Sequence, residues 1–238
     1  MSIFLRSNAF IGIVASVAEG FKNEVGGLIF GDYFLTVEKN IVDVAVPLQT
    51  TKRTPTQVHF HPSRTRRVRA IWDDLSPLWY LGSFHSHPEY GATKYLPDPS
   101  DDDKEFLKIG ELEIIISIWK ATRKEFLGYI REGMRLSGAV GDYYIQMSAW
   151  QKDEDGNVVE LDLWCPYIDV INESRKRGIV SKWGRLFESD AIVPEAKLRM
   201  LRRQVRKYEN QVFRNPDSQK SAFSKVRQTI KKISKEIS

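Results

Sequence analysis

The order of apolar and polar residues along this chain changes near residue 165. Before that point, short runs rich in apolar and β-branched residues predict strands, with a Gly-Asp turn at Gly31–Asp32 joining the first two. Because strands dominate and helices interrupt them, we predict an α+β or mixed α/β domain built on one sheet. The predicted strands are Val25–Phe30, Phe34–Pro47, Val58–His61, Leu78–His87, Leu112–Trp119, Phe126–Arg131, Tyr143–Gln151 and Val158–Trp164.

Helical spacing predicts three helices in the same region. One is expected around Arg64–Leu75, and one begins at Ser100 after the Gly- and Pro-containing loop Glu89–Pro99. The third lies nearest the N-terminus and is amphipathic. We expect it to pack on the domain, because no long apolar run typical of a signal peptide develops. Its apolar face comprises Phe10, Ile11, Val14, Val17 and Phe21.

Beyond Cys165–Pro166, apolar residues recur at intervals of three and four. This spacing predicts two amphipathic helices separated by Asn215–Pro216, which suits a helical hairpin. We therefore predict a domain over residues 1–165 and a basic helical extension over residues 166–238. The apolar positions of the two helices, here called the seam, are Leu198, Leu201, Val205, Tyr208 and Val212, then Phe223, Val226, Ile230, Ile233 and Ile237.

Charge is divided unevenly between these regions. Residues 194–238 hold 13 Lys/Arg and 4 Asp/Glu (+9), so the first 193 positions hold 23 and 27 (−4), which gives the net charge of +5. A basic segment favours polyanions, so nucleic-acid binding is one hypothesis for the extension. Aromatic residues are sparse there, and we favour docking of a protein partner or self-association through the seam.

Cysteine content limits the chemistry that the chain can perform. Cys165 is the only cysteine among 238 residues, which excludes an intramolecular disulfide and a thiolate zinc cluster. A chain without disulfides is typical of a reducing compartment, so we expect a cytoplasmic protein. No segment has the roughly 18 consecutive apolar residues that a membrane helix needs, and we expect no membrane partner.

The four histidines form two His-x-His-Pro strings. Side chains two residues apart on a strand point to the same face, so each string presents two imidazoles to one metal ion. His85 and His87 are followed by Ser100, a helix N-cap candidate, and by Asp103 at the third helical position. For His59 and His61 no matching acid follows. We favour a structural or surface role for them, with a substrate-facing role as the alternative.

A carboxylate upstream completes a motif. Glu24 opens the Gly-rich apolar segment Val25–Gly31. Together, Glu24–Gly31, Gly82–Pro88 and Pro99–Asp103 resemble the JAMM motif of the MPN-plus (Mov34/MPN/PAD-type) zinc metalloproteases. The resemblance covers roughly residues 8–165. One departure is the loop before Ser100, which is longer than in the shortest form of that motif and leaves loop-dependent specificity open.

The resemblance implies a cytidine-deaminase-like MPN domain, with one mixed sheet flanked by helices. It implies hydrolysis of an isopeptide or peptide bond at the C-terminus of ubiquitin or a ubiquitin-like modifier, whose extended tail adds as a strand beside the site. It further implies that His85, His87 and Asp103 bind Zn²⁺. In that family pattern Glu24 takes a proton from water and delivers it to the leaving amine, and Ser100 donates a hydrogen bond to the oxyanion.

Several alternatives stay open. A catalytically inactive MPN scaffold would keep the fold without the metal, but no ligand of the motif is lost here. Release of an amino acid from a sulfur-carrier protein would use the same site chemistry. An ordinary zinc endopeptidase is disfavoured because the chain has no His-Glu-x-x-His string. We expect specificity in Glu89–Pro99 and in Thr50–Leu75, whose arginines either meet an acidic modifier or form a solvated helix face: Arg64, Arg66, Arg67 and Arg69.

Overall fold

The computed structural model describes residues 1–34, 39–49, 52–54, 56–121, 129–177 and 195–237. These residues form two compact units, Met1–Cys165 and Pro166–Ser238. The first unit combines a sheet with helices, which confirms the predicted mixed α/β class. Among the helices described in either unit, none is both long and apolar enough to cross a membrane.

Eleven strands and three helices make up the described part of the first unit. The strands are β1 (Ser2–Leu5), β2 (Gly26–Phe34), β3 (Lys39–Pro47), β4 (Lys52–Thr54), β5 (Gln57–His59), β6 (Trp79–Pro88), β7 (Leu112–Lys120), β8 (Ile130–Glu132), β9 (Arg135–Val140), β10 (Tyr143–Lys152) and β11 (Val158–Trp164). The helices are α1 (Ser7–Glu19), α2 (Pro62–Leu75) and α3 (Asp101–Phe106).

Nine of the strands form one mixed sheet in the order β11-β1-β3-β2-β6-β7-β10-β9-β8, and β11 also pairs with β10. The β6–β7 pair is parallel, whereas β6 runs antiparallel to β2. Strands β4 and β5 form a separate two-stranded hairpin. Strand β6, which carries the second histidine pair, therefore lies inside the sheet with a partner on each side.

The core explains why β7 is an almost continuous apolar run. A central strand covered on both faces loses the alternation of apolar and polar residues. Five of its apolar residues are at most 1% exposed, namely Leu112, Ile114, Ile115, Ile116 and Ile118. Glu113 and Ser117 interrupt this run on one face.

Helix α1 buries a slightly different face from the predicted one. Its buried residues are Ala9, Phe10, Ile13, Val14 and Val17. The assignment of Ile11 to this face was wrong, since Ile11 is 49% exposed. Phe21 lies beyond the end of the helix and packs against Tyr143, with ring centroids 4.7 Å apart.

The predicted turn at Gly31–Asp32 was wrong, because β2 runs through both residues to Phe34. The β2–β3 register shifts between Phe30 and Gly31, which marks a β-bulge. A Cβ atom on Gly31 would overlap the carbonyl oxygen of Ile41. Glycine is therefore required here by the close approach of two strands. Phe34, where the predicted second strand began, is instead the last residue of β2. Residues 35–38 lie outside the described residues, as does the start of the predicted strand Phe126–Arg131.

The structure also contains elements that we did not predict, namely β1, β4, β9 and a helix that opens the second unit. That unit consists of α4 (Tyr167–Lys176), α5 (Glu195–Arg214), a 3₁₀ helix (Pro216–Ser218) and α6 (Gln219–Ile237). The carboxylate of Asp169 on α4 accepts hydrogen bonds from Tyr208 and Gln219. Within α5 and α6 every described seam side chain is at most 8% exposed. The Ile237 side chain lies outside the described residues.

Replacing Gly31 with alanine tests the close approach of β2 and β3. We expect Gly31→Ala to lower the free energy of unfolding by about 1–3 kcal/mol, because backbone must move to accept the methyl group. The matched control is Gly12→Ala in α1, where an added Cβ would lie 3.6 Å from the carbonyl oxygen of Ala45, an ordinary contact. In urea denaturation the control should be neutral or stabilised by up to about 1 kcal/mol, and an unchanged Gly31→Ala midpoint would refute this account.

Candidate metal centre

Two imidazoles and one carboxylate converge at the end of β6. The alternation of side chains on a strand places His85 and His87 on one face, and their Nε2 atoms lie 3.0 Å apart. Asp103 approaches from α3, with Oδ1 3.4 Å from Nε2 of His85 and Oδ2 3.5 Å from Nε2 of His87. The three predicted ligand residues therefore meet at one point.

These separations fit a zinc-type ion. Zinc bonds of about 2.0–2.1 Å in a tetrahedron place neighbouring ligand atoms about 3.3 Å apart. The three measured separations, 3.0, 3.4 and 3.5 Å, bracket that value. Among the described residues, this is the only group of three or more His, Cys, Asp or Glu side chains with the spacing of a metal site.

The helix start at Ser100 determines the position of Asp103. Ser100 is the N-cap of α3, and its hydroxyl accepts a hydrogen bond from the backbone N–H of Asp103 at 3.2 Å. In return, the Asp103 carboxylate accepts from the Ser100 backbone N–H at 2.8 Å and from its hydroxyl at 2.7 Å. This reciprocal capping box fixes the carboxylate in place. The Ser100 hydroxyl thus contacts a ligand residue directly.

Strands β9 and β10 hold the loop that precedes α3. The buried Ser148 hydroxyl and Nε1 of Trp150 both donate to the carbonyl oxygen of Pro97, the latter at 3.0 Å. The next residue, Asp98, forms an ion pair with Arg135 at 2.6 Å. Consecutive loop residues are therefore fixed to the sheet just before Ser100, so the length of the loop does not leave Asp103 loosely placed.

A second carboxylate supports His85. Glu113 on β7 lies in register with Ser83 of β6, on the same face as His85, and its Oε1 is 2.7 Å from Nδ1 of His85. Because an ionised carboxylate only accepts, Nδ1 donates and the lone pair of Nε2 is left for a metal. The Ser83 hydroxyl donates to the other oxygen of Glu113. His87 is oriented similarly, with Nδ1 3.4 Å from the carbonyl oxygen of Leu96.

Sequence reasoning missed Glu113. The available signal was an acid inside the otherwise apolar strand Leu112–Lys120. A charge in a central strand needs a partner. The parallel β6–β7 register shows that this partner is His85.

Glu24 lies beside this cluster and is 8% exposed. The next residue, Val25, is joined to Ser86 of β6 by two hydrogen bonds: its carbonyl oxygen accepts from the Ser86 backbone N–H at 2.9 Å, and its own N–H donates to the Ser86 hydroxyl at 3.0 Å. These bonds hold Glu24 close to the strand that carries the two histidines. Burial raises the pKa of Glu24 to about 7, although the charge of His85 opposes the shift and that of Asp103 reinforces it. The carboxylate also accepts a hydrogen bond from the backbone of Val58.

The ionisation of the cluster favours a bound cation. Burial lowers the pKa of His85, but hydrogen bonds to Asp103 and Glu113 outweigh burial and raise it to about 10. Burial raises the pKa of Asp103, but hydrogen bonds from His85 and His87 outweigh it and hold the pKa well below its usual value. The negative surroundings that stabilise an imidazolium also stabilise a divalent metal ion.

Of the first histidine pair, the side chain of His61 is described, and it lies outside the cluster. His61 is exposed at the start of α2, where its Nδ1 is 2.9 Å from the Ser63 hydroxyl. The backbone of His59 belongs to β5, and its side chain lies outside the described residues. The structural or surface role that we expect for this pair stays a prediction.

Comparison with known proteins adds the family relationships. The family model of prokaryotic homologs of the JAB domain matches residues 7–126. The solution structure of a protein from Desulfitobacterium hafniense is similar over 68% of this chain and 92% of that one, at 19% identity and a TM-score of 0.48. A JAB1/MPN domain protein from Archaeoglobus fulgidus is similar over 68% and 97%, at 16% identity and a TM-score of 0.33. No curated protein matches the chain.

Removing the negative charge behind His85 should weaken metal binding. We expect Glu113→Gln to raise the Kd for Zn²⁺ by about 10–100-fold, because the neutral amide can still accept from Nδ1 but no longer polarises the imidazole with a negative charge. Competition with a chelator of known zinc affinity measures the change. The matched control is Glu132→Gln on β8, whose side chain is exposed. Equal zinc affinity in Glu113→Gln and wild type would remove Glu113 from the site.

Proposed function

We propose that this chain, which belongs to the family of prokaryotic homologs of the JAB domain, is a JAMM-type zinc metallo-isopeptidase. Its reaction is hydrolysis of an isopeptide or peptide bond at the C-terminus of ubiquitin or a ubiquitin-like modifier, in deconjugation or precursor processing. The proposal includes a cytidine-deaminase-like arrangement of the sheet and a cytoplasmic location.

One observation carries this proposal, namely the shared position of His85, His87 and Asp103 beside the buried Glu24 carboxyl. Three protein ligands leave one tetrahedral position for water or substrate, which distinguishes catalytic zinc sites from closed structural ones. An inactive scaffold has no need to retain all four side chains, and all four are present.

The chain's own groups would divide the work of hydrolysis. A bound Zn²⁺ would supply Lewis-acid activation of water and of the scissile carbonyl. Glu24 accepts the proton of the attacking water, and it later delivers that proton to the leaving amine. Its burial suits this task, because a carboxyl group with a pKa near 7 both takes and returns a proton near neutral pH.

Ser100 has two parts in this proposal. Its hydroxyl donates to Asp103 at 2.7 Å, so it orients a metal ligand. The same hydroxyl is the candidate donor to the oxyanion of the tetrahedral intermediate, and donating there requires it to turn away from Asp103. Ser100 therefore links the position of the metal to stabilisation of the transition state.

Two segments are candidates for substrate selection. The loop Glu89–Pro99 exposes Tyr90, Tyr95 and Leu96, and the Tyr95 ring lies 6.4 Å from that of His87. Helix α2 exposes several arginines suited to an acidic modifier, namely Arg64, Arg66 and Arg67. Arg69 is occupied differently, since its guanidinium stacks 3.8 Å from the centroid of the Tyr80 ring.

Substitution of Glu24 separates catalysis from metal binding. We expect Glu24→Gln to keep one zinc per chain and to lower turnover by about 10²–10⁴-fold, because the amide cannot accept the proton. Elemental analysis and single-turnover cleavage measure the two effects. The control Glu154→Gln alters an exposed carboxylate in the turn between β10 and β11 and should match wild type. A fully active Glu24→Gln protein would eliminate Glu24 as the general base.

The reaction class is tested by incubating the full chain with a panel of ubiquitin and ubiquitin-like modifiers, each extended at its C-terminus. We expect cleavage after the modifier's last residue, loss of cleavage with a zinc chelator, and recovery on adding Zn²⁺. Cleavage that resists the chelator would contradict the metal mechanism.

Two other outcomes of the same panel support the alternatives. Release of an amino acid from a sulfur-carrier protein, with no cleavage of modifier conjugates, would replace the isopeptidase assignment by hydrolysis of a small leaving group. A chain that holds no zinc and cleaves nothing would be an inactive MPN scaffold.

A further inference from the structure

The exposed charged side chains that the structure describes on the α5–α6 hairpin are almost all basic. Twelve of its Lys and Arg side chains are exposed, whereas Asp217 is its only exposed acid among the side chains that the structure describes. Glu209 is 2% exposed, and Arg227 forms an ion pair with Glu173 of α4 at 3.5 Å. The exposed cations are Arg199, Arg202, Arg203, Arg206, Lys207 and Arg214 on α5, and Lys220, Lys225, Arg227, Lys231, Lys232 and Lys235 on α6.

Helical geometry places three of the α5 cations opposite the seam. At 3.6 residues per turn, Arg199, Arg203 and Arg206 lie within a narrow sector of α5 that is turned away from Leu198 and Leu201. Both seam residues are at most 5% exposed, so the apolar side of the hairpin is already covered. The surface that remains for a partner is the basic one.

Folding alone does not account for this arrangement. Like charges four residues apart on a helix destabilise it, and Arg199–Arg203, Arg203–Lys207 and Lys231–Lys235 are all such pairs. A surface that serves solubility alone intersperses both signs of charge. Clustered cations are instead the electrostatic footprint of a polyanion-binding surface.

We propose that the outer face of the α5–α6 hairpin binds the phosphodiester backbone of duplex DNA, largely without regard to sequence. From Arg199 to Arg214, α5 rises about 22 Å at 1.5 Å per residue, which matches about six base pairs at 3.4 Å each. The wide major groove of B-form DNA admits an α-helix, whereas the major groove of an RNA duplex is too narrow.

The hairpin lacks the features that bind single strands. Proteins that bind single-stranded nucleic acid stack its bases on exposed aromatic rings. The aromatic residues of the described hairpin are Tyr208, Phe213 and Phe223, and all three are at most 5% exposed. This observation favours a duplex, whose bases are already stacked, over a single strand.

Fluorescence anisotropy of the full chain with a short labelled DNA duplex tests the proposal. We expect the logarithm of the affinity to fall linearly with the logarithm of salt concentration between about 50 and 200 mM. The triple variant Arg203→Gln, Arg206→Gln and Lys207→Gln should bind the duplex at least about tenfold more weakly. The slope of log affinity against log salt concentration should become shallower by about 2–3, near one unit per lost phosphate contact. Circular dichroism checks that the helices of this variant are retained.

A charge-matched control removes the same number of cations elsewhere. The variant Arg64→Gln, Arg66→Gln and Arg67→Gln changes three exposed arginines of α2 and should keep wild-type affinity and slope. Equal losses in the two variants would overturn the assignment to the hairpin. Tighter binding of single-stranded DNA, duplex RNA or polyglutamate than of duplex DNA would overturn the assigned partner. Because Glu24 is unaltered, modifier cleavage by the hairpin variant reports on the isopeptidase proposal separately.

Discussion

The twofold periodicity of β6 is the constraint on which the candidate site depends. His85 and His87 converge on one point only because residues two apart on a strand share a face. Pairing with β2 and β7 fixes this face from both sides. The antiparallel partner β2 pairs Gly26, two residues after Glu24, with His85, and the parallel partner places Glu113 beside His85. A slip of one residue in either pairing would turn these carboxylates to the opposite side of the sheet.

The third ligand comes from outside the sheet and needs its own support. Asp103 stands on a helix of six residues, which is too short to hold its position alone. The capping box at Ser100 fixes the carboxylate locally, and the contacts of Pro97 and Asp98 with β9 and β10 fix the loop before it. Several strands thus contribute contacts that position the site, although its candidate ligand residues are few.

Features that depend on residues close together in the chain could be predicted from the sequence. Features that depend on how distant strands pair could not. The ligand pair follows from strand alternation, the Ser100 cap from helix geometry, and the hairpin seam from helical spacing. Glu113 was missed because its partner is set by the β6–β7 register. Gly31 was misassigned to a turn because the sequence alone does not show that Ile41 of β3 approaches it closely.

The central claim is that His85, His87 and Asp103 share one divalent ion with an open coordination position. Anomalous diffraction at the zinc edge, from crystals of the full chain grown with equimolar Zn²⁺, tests this claim most directly. The account predicts one strong peak about 2.0–2.2 Å from both Nε2 atoms and from a carboxylate oxygen of Asp103, with no fourth protein ligand. A peak ligated elsewhere, no peak at this cluster, or a site closed by a fourth side chain would contradict it.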